Sequence, residues 1–523
     1  MNDHPNETVP ATPQELAEQY GMPYEDLETF RPNHELIKRF PSQDLFRTNV
    51  LPLRSDEDRI AVAVSDPLNL DLLDELSVCS GLLLDPVVAD KAQIERWLKK
   101  CLGVGGGTVQ ELVAMSVDEA EALQAAAEDE IDDVSQASSV VKLVNELLVE
   151  AVELRASDVH IEPEEDGLDV RFRVDGILRL QPVPQQIHRF RAAIVSRLKI
   201  MSRLNIAEKR RPQDGRIKLA VSGREIDVRA SVIPMLHGEG VVLRLLDNSQ
   251  AQLDLDFVNF PDDLRQQWNH IIRKTNGLVL VTGPTGSGKT TTLYSSLCEI
   301  RSPERKIITV EDPVEYNLRG VSQIQVHDQV GLNFSEGLRS ILRHDPDVVL
   351  IGEVRDEETA CSAIQASLTG HLVLSTLHTN DAASAFTRLI DMGVEPYLVA
   401  STVEAVLAQR LIRRLCRSCK QQITSSQPNL PTDLVLNSDQ VIYEAKGCRE
   451  CHQTGYNGRL AVFELLVMNN RIRTLCNQNT STAELRRQAL SDGMLSLRQM
   501  GWQQVVAGNS TLSELVRVCP DPE

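Results

Sequence analysis

The stretch "LVLVTGPTGSGKTTTLY", Leu278 to Tyr294, decides the reading of this chain. Four apolar residues lead into a glycine-rich turn, which is followed by Lys289 and a run of threonines. The turn "GPTGSGKT", Gly283 to Thr290, fits G-x-x-x-x-G-K-[ST] in full, with a β-branched strand before it and "TTTLYSSLCEI" as a helix after it. Such a turn binds a nucleoside triphosphate. Gly283, Gly286 and Gly288 let backbone N–H groups face the phosphates. Lys289 neutralises the β/γ charge, and the Thr290 hydroxyl ligates Mg²⁺. Pro284, Thr285, Ser287 and Thr291 complete the expected nucleotide-binding segment. A bare glycine-rich β–α turn is the bland alternative, and the strand-and-helix context argues against it.

Three more apolar runs end in polar residues. "DPDVVLIGEVRDEETA", Asp345 to Ala360, reads as a strand ending at Gly352-Glu353, where a parallel strand delivers active-site groups. Many P-loop enzymes end this strand Asp-Glu; with Gly in place of Asp, Glu353 is left to orient the attacking water, help hold the metal shell, or both. "IITVEDPVEY", Ile307 to Tyr316, ends in Glu311, Asp312 and Glu315. "GHLVLSTLHT" is bracketed by His371 and His378, which the period-two alternation of a strand places on opposite faces, a poor shared metal site. His378 is either structural or a hydrogen-bond partner for a γ-phosphate.

A chain of 523 residues exceeds one core and suggests three or four units. Residues 1–102 hold short helical patterns and the strand-like "RIAVAVSDP". From Glu111 to Val141 there are nine acids and no Lys or Arg, so 103–139 reads as a flexible acidic linker. A helical pattern resumes at Val140, followed by alternating segments in which Ser222-Gly223 suits a hairpin turn, an α+β module over 140–250. From 251 to 523 strand, loop and helix alternate, the signature of an α/β domain with a parallel sheet. No run of eighteen apolar residues appears and the start is polar and acidic, so a cytosolic protein is expected. The formal charge of −21 and an aromatic content of 4% count against nucleic-acid binding.

Cys416/Cys419 and Cys448/Cys451 form two C-x-x-C pairs with 28 residues between them, zinc-ribbon spacing that predicts a structural Zn²⁺ subdomain over 413–460. Two disulfides are the alternative, disfavoured in a reducing compartment. The segment Arg189 to Arg229 carries twelve Lys/Arg against four acids. It reads as a solvated basic face, a nucleic-acid patch, or a source of arginines reaching a neighbouring subunit's triphosphate.

These motifs resemble those of the secretion traffic ATPases, the hexameric motors of type II secretion and type IV pilus assembly. "ASDVHIEP", "VRFRVDG", "IAEKRRPQDGRIKL", the P-loop, "ITVEDPVEY", "LRHDPDVVLIGEVRD", "TGHLVLSTLHTND" and the cysteine set stand in family order. The resemblance implies a RecA-like ATPase domain, a PAS-like domain before it and a small N-terminal α/β partner-docking domain. It implies a homohexamer, peripheral at the cytosolic face of the inner membrane, that works on a platform protein and an anchor protein with a cytoplasmic domain. Carried over, Glu353 is the catalytic carboxylate, Glu311 and Asp312 lie in the acidic box, His378 lies in the histidine box, and Arg210 and Arg216 are finger candidates. "LVEAVELRASDVHIEP" looks like the secretion branch, with pilus extension as the alternative. Some relatives begin with tandem Arg-Leu-Gly motifs that bind cyclic di-GMP; none stands here.

Overall fold

The computed structural model describes residues 12–103, 108–109, 134–247, 254–423 and 430–519, apart from scattered positions within 38–81, Ser222 and residues 438–439. Most of the acidic linker expected over 103–139 lies outside the described residues. The chain forms two units, Met1–Ser249 and Gln250–Glu523.

The first unit contains two modules. In the N-terminal one, β1 (Leu51–Asp56) and β2 (Arg59–Val64) pair antiparallel, and β3 (Leu83–Val88) joins β2 in parallel. Leu51, Ile60 and Val62 bury against Leu98 of the helix Lys91–Leu102. The second module is a six-stranded antiparallel sheet in the order β6-β5-β4-β9-β8-β7. Its strands are β4 (Ala156–Pro163), β5 (Leu168–Val174), β6 (Ile177–Leu180), β7 (Gln213–Val221), β8 (Arg224–Met235) and β9 (Gly238–Asp247). Alternation decides its two faces. Val159, Ile161, Val228 and Leu243 are buried in a core shared with Leu147 of helix Val134–Glu153 and Leu198 of helix Arg191–Met201. The residues between them turn to the other face. The opening helix runs Val134–Glu153, so it begins six residues before the apolar pattern that resumes at Val140, through a Ser/Ala/Gln turn that carries no apolar periodicity of its own.

The second unit carries a seven-stranded sheet in the order β12-β11-β13-β14-β10-β15-β18. Its strands are β10 (Gly277–Thr282), β11 (Ile307–Glu311), β12 (Ser322–Gln325), β13 (Val348–Ile351), β14 (Leu372–Leu377), β15 (Val403–Leu415) and β18 (Tyr456–Val467). The first six run parallel, and β18 returns antiparallel to β15. β10, β13 and β14 are buried along their whole lengths, which is why they read as unbroken apolar runs. Between β15 and β18, β16 (Gln421–Gln422) and β17 (Tyr443–Glu444) form a two-stranded flap.

Candidate active site

The parallel strands deliver their C-terminal ends to one edge, where an open α/β sheet binds its ligand. β10 ends at Thr282 and turns directly into the P-loop, whose Gly288 caps the helix Lys289–Ile300 with φ 88°. Two glycines are forced by close approach as well as by φ. A Cβ on Gly283 would lie 2.5 Å from the Gln409 carbonyl oxygen, and one on Gly288 would lie 2.8 Å from Gln409 Nε2. Gln409, on β15 and 2% exposed, thus presses on the loop while its Oε1 accepts from Thr292 Oγ1 at 2.7 Å. Lys289 Nζ donates to Gly283 O at 2.8 Å and Pro284 O at 3.1 Å. Burial pulls its ammonium down to about 8; the Glu353 carboxylate opposes that fall and the Arg410 guanidinium adds to it. Ser287 is buried with its hydroxyl unbonded, while Pro284, Thr285, Gly286 and Thr290 are exposed and Thr291 is half-buried. A buried hydroxyl without a partner and an exposed threonine beside a lysine fit a bound Mg²⁺-triphosphate.

Beside the loop, Glu353 follows the end of β13. Its Oε1 lies 2.5 Å from Arg355 Nη2, and its Oε2 lies 3.4 Å from His378 Nε2. The turn carrying it is tied to β14: Thr376 Oγ1 donates to Gly352 O at 2.8 Å, and Val354 N to Thr376 O at 3.0 Å. Burial lowers the His378 imidazole below its ordinary value; Lys289 and Arg355 lower it further against the pull of Glu353. It is therefore neutral near pH 7, able to donate or accept one hydrogen bond. His371 sits at the opposite end of β14, with Nδ1 at 2.9 Å from Ala366 O and 3.1 Å from Thr369 Oγ1.

Lys289, Glu353 and His378 thus come together, but the acidic box divides. Glu311 is 4% exposed and both its oxygens are engaged. Tyr294, on the P-loop helix, donates to Oε2; Thr309 Oγ1 and Gln323 Nε2 donate to Oε1 at 2.5 Å and 3.2 Å. Burial and the adjacent carboxylate push the Tyr294 phenol far up, so it stays a donor. Asp312, the next residue, turns to solvent.

In the first unit, register gathers arginines that are scattered in sequence. Arg173 on β5, Asp158 on β4, Arg244 on β9, Arg229 on β8 and Arg216 on β7 stand directly opposite one another. They form one cross-strand row on the face turned away from the core, with Arg244 Nε 3.0 Å from Asp158 Oδ1. Arg210 lies outside this row, exposed in the loop before β7, its side chain on Glu208.

The four cysteines meet where β15 ends and β18 begins. Cys416 and Cys448 are 3.8 Å apart, as are Cys419 and Cys451, and all four sulfurs lie within 4.8 Å of one another. A tetrahedral zinc with bonds of about 2.3 Å holds its sulfurs roughly 3.8 Å apart, whereas a disulfide needs about 2.0 Å. The four are free thiols in a geometry compatible with one structural zinc, and the two-disulfide alternative is set aside. Cys451 Sγ accepts backbone N–H groups of Cys448 at 3.1 Å and Gly455 at 3.2 Å, as a metal-bound thiolate does.

Comparison with known proteins gives this geometry a family. The description "Type II/IV secretion system protein" matches residues 133–517. The chain belongs to the type II/IV secretion system protein family. It is therefore an ATPase, and the RecA-like fold that the resemblance implied holds. A second match, the MshEN domain, covers residues 20–108 of this secretion-family chain. The "Type IV pilus assembly ATPase PilB" of Myxococcus xanthus is 42% identical over 515 residues, 97% of this chain and 90% of that protein. The "Type II secretion system protein HxcR" of Pseudomonas aeruginosa is 49% identical over 389 residues, 74% of this chain and 79% of that protein. The Legionella pneumophila ATPase DotB shares the fold, with a TM-score of 0.51 at 20% identity over 72% of this chain and 94% of that one. Among the described residues of this family member, no helix is long and apolar enough to cross a membrane.

The sequence reading did not single out Gln409, Arg410, Tyr294 or Arg244; from the basic segment it named Arg210 and Arg216, of which Arg216 lies in the cross-strand row. "AQRLIRRL" directly continues a buried strand, so its polar pair was the available signal for the first two.

Proposed function

We propose that this chain works as a homohexamer in which Mg²⁺-dependent ATP hydrolysis drives pseudopilus growth for protein export by type II secretion. The observation that carries the catalytic part is the convergence of Lys289, Glu353 and His378 at one sheet edge. The P-loop N–H groups and Lys289 are placed to hold the β- and γ-phosphates, and Thr290 would offer its hydroxyl to a Mg²⁺ ion, which would supply neutralising charge there. Glu353 orients the attacking water and accepts its proton. His378, neutral and within reach of Glu353, bonds the γ-phosphate side and registers its departure. Glu311 and Asp312 do not share that work equally: Glu311 braces the wall of the site through Tyr294, while Asp312 is exposed and would be the one of the two open to a bound metal. The row Arg216, Arg229 and Arg244 is suited to meet a neighbouring subunit's triphosphate in trans, and it displaces Arg210 as a finger candidate.

Residues 1–102 are proposed to dock on the anchor protein, with the platform protein as the object of the mechanical work, at the cytosolic face of the inner membrane. Pilus extension is the second reading, favoured by a pilus-assembly relative that matches 97% of the chain. The net charge of −21 argues against a nucleic-acid motor. The test is a pair of variants. Lys289→Ala loses nucleotide binding, whereas Glu353→Gln keeps binding and loses about 10²–10⁴ in turnover. Steady hydrolysis by Glu353→Gln would move the water-orienting role elsewhere. Stimulation by DNA rather than by platform protein would refute the secretion reading.

A further inference from the structure

The loop that follows His378 runs across the ends of three neighbouring strands, and each strand holds it with one side chain. Thr282, the last residue of β10, accepts from Thr379 N at 2.9 Å and shares a 2.7 Å hydrogen bond with Thr379 Oγ1. Arg410, on β15, donates from Nη2 to Asn380 O at 2.7 Å. Glu464, on β18 and 1% exposed, accepts from Ala382 N at 2.8 Å. The placement follows from register, since Thr282, Ala408 and Glu464 stand in one cross-strand row and Arg410 lies two residues beyond Ala408 on the same face.

Arg410 differs from the other two anchors because it reaches the loop with a long charged side chain that passes beside Gly283. Its Nη1 lies 3.1 Å from the position a Cβ would occupy on Gly283 and donates to Gln409 O at 3.1 Å. It is half-buried, and its hydrogen bonds go to the carbonyls of Gln409 and Asn380, with the Asn380 amide oxygen at 3.5 Å. Among the described residues, no carboxylate comes within 4.0 Å of it. Burial works against its charge, the pull of Glu464 and Asp381 offsets only part of that, and a glutamine would satisfy one carbonyl without the charge. What the forked guanidinium adds is a simultaneous hold on the β15 backbone at Gln409, whose carbonyl oxygen lies against Gly283, and on the loop that carries His378.

We propose that Arg410 is a positioning residue for hydrolysis: it ties the His378 loop to β15 beside the start of the P-loop and so keeps His378 against Glu353. This rests on the reading of His378 as a nucleotide-side group. A shift of about 1 Å in that imidazole is enough to lower turnover on the order of 100-fold without removing a phosphate ligand.

The experiment uses the full chain, with binding of a fluorescent non-hydrolysable ATP analogue and steady-state turnover measured side by side. Arg410→Met is expected to lower kcat about 10–100-fold while changing Kd by less than about threefold, and Arg410→Lys to recover part of the loss. In a His378→Ala background, Arg410→Met should cost no more than about threefold further, because the group it positions is already gone. A Kd that rises in step with the loss of kcat would make Arg410 a phosphate ligand and overturn the proposal. Additive losses in the double variant would also overturn it, leaving only support of the fold. Wild-type turnover by His378→Ala alone would instead sink the reading of His378. If Arg410→Met does not assemble, Arg410→Lys decides: reduced kcat at unchanged Kd is expected, and wild-type kcat refutes.

Discussion

The depressed ammonium of Lys289 makes a quantitative prediction about nucleotide affinity and pH. An ordinary lysine titrates near 10.4. Burial in the P-loop brings this one to about 8, with Glu353 opposing the fall and Arg410 adding to it. A bound triphosphate places several negative charges on the same ammonium and returns its titration to well above 8. The sign follows directly. Above the lower of these two values the unliganded lysine is largely neutral and the liganded one is charged, so binding takes up a proton and weakens as pH rises. With a titration at 8, roughly nine-tenths of unliganded loops carry the charge at pH 7 and about one-tenth at pH 9. Apparent affinity should therefore fall about tenfold between those two pH values, close to 1.4 kcal/mol. The assay is calorimetric titration of wild-type protein with a non-hydrolysable MgATP analogue, in two buffers of different ionisation enthalpy. About half a proton should be taken up per site at pH 8. Lys289→Arg, charged at every pH used, should abolish the slope even if its absolute affinity is lower. A wild-type affinity that stays flat from pH 7 to 9, or an equal slope in Lys289→Arg, would refute the argument.

Purified protein kept from chelators should contain about one zinc per chain, and Cys448→Ser should lose it and open the segment around residues 416–455 to proteolysis before it affects nucleotide binding. Elemental analysis without stoichiometric metal would contradict this. Glu311→Ala strands the buried donors of Tyr294, Thr309 and Gln323, and should destabilise the second unit by on the order of 3–5 kcal/mol, read as a fall in melting temperature. Tyr294→Phe, which removes one donor, should cost about 1–2 kcal/mol, and an unchanged melting point in both variants would return Glu311 to catalysis. Mixing Arg216→Ala or Arg229→Ala chains with Glu353→Gln chains should restore part of the activity each lacks alone, because one interface then holds an intact pair. No recovery in hexamers shown to have exchanged subunits would remove the row from the site.

What could be read from the sequence was what lies contiguous along it. The P-loop is one turn between one strand and one helix, so its residues carry their own context, and Glu353 announces itself as the first charge after a buried strand. The cysteines are legible because metal geometry fixes short spacings. Glu311 and Asp312 show the limit. As letters they are a pair of acids at a strand end, yet Tyr294, seventeen residues upstream, and Gln323, twelve downstream, bury the first and leave the second in solvent. The arginine row is further from view. Its members are separated along the chain by unequal intervals, and only the pairing of β5, β4, β9, β8 and β7 aligns them. Composition found the basic segment from Arg189 to Arg229 but could not see that Arg244 and Arg173, outside it, belong to the row, nor that Arg210, inside it, does not. The two kinds of information therefore divide along chemical lines. Groups that act on phosphate through the backbone must be close in sequence, because a turn is local. Groups that act through long side chains can be gathered by register from anywhere in a sheet, and the trans role proposed for Arg216, Arg229 and Arg244 depends on that gathering, since only the pairing of β7, β8 and β9 sets the three guanidiniums side by side.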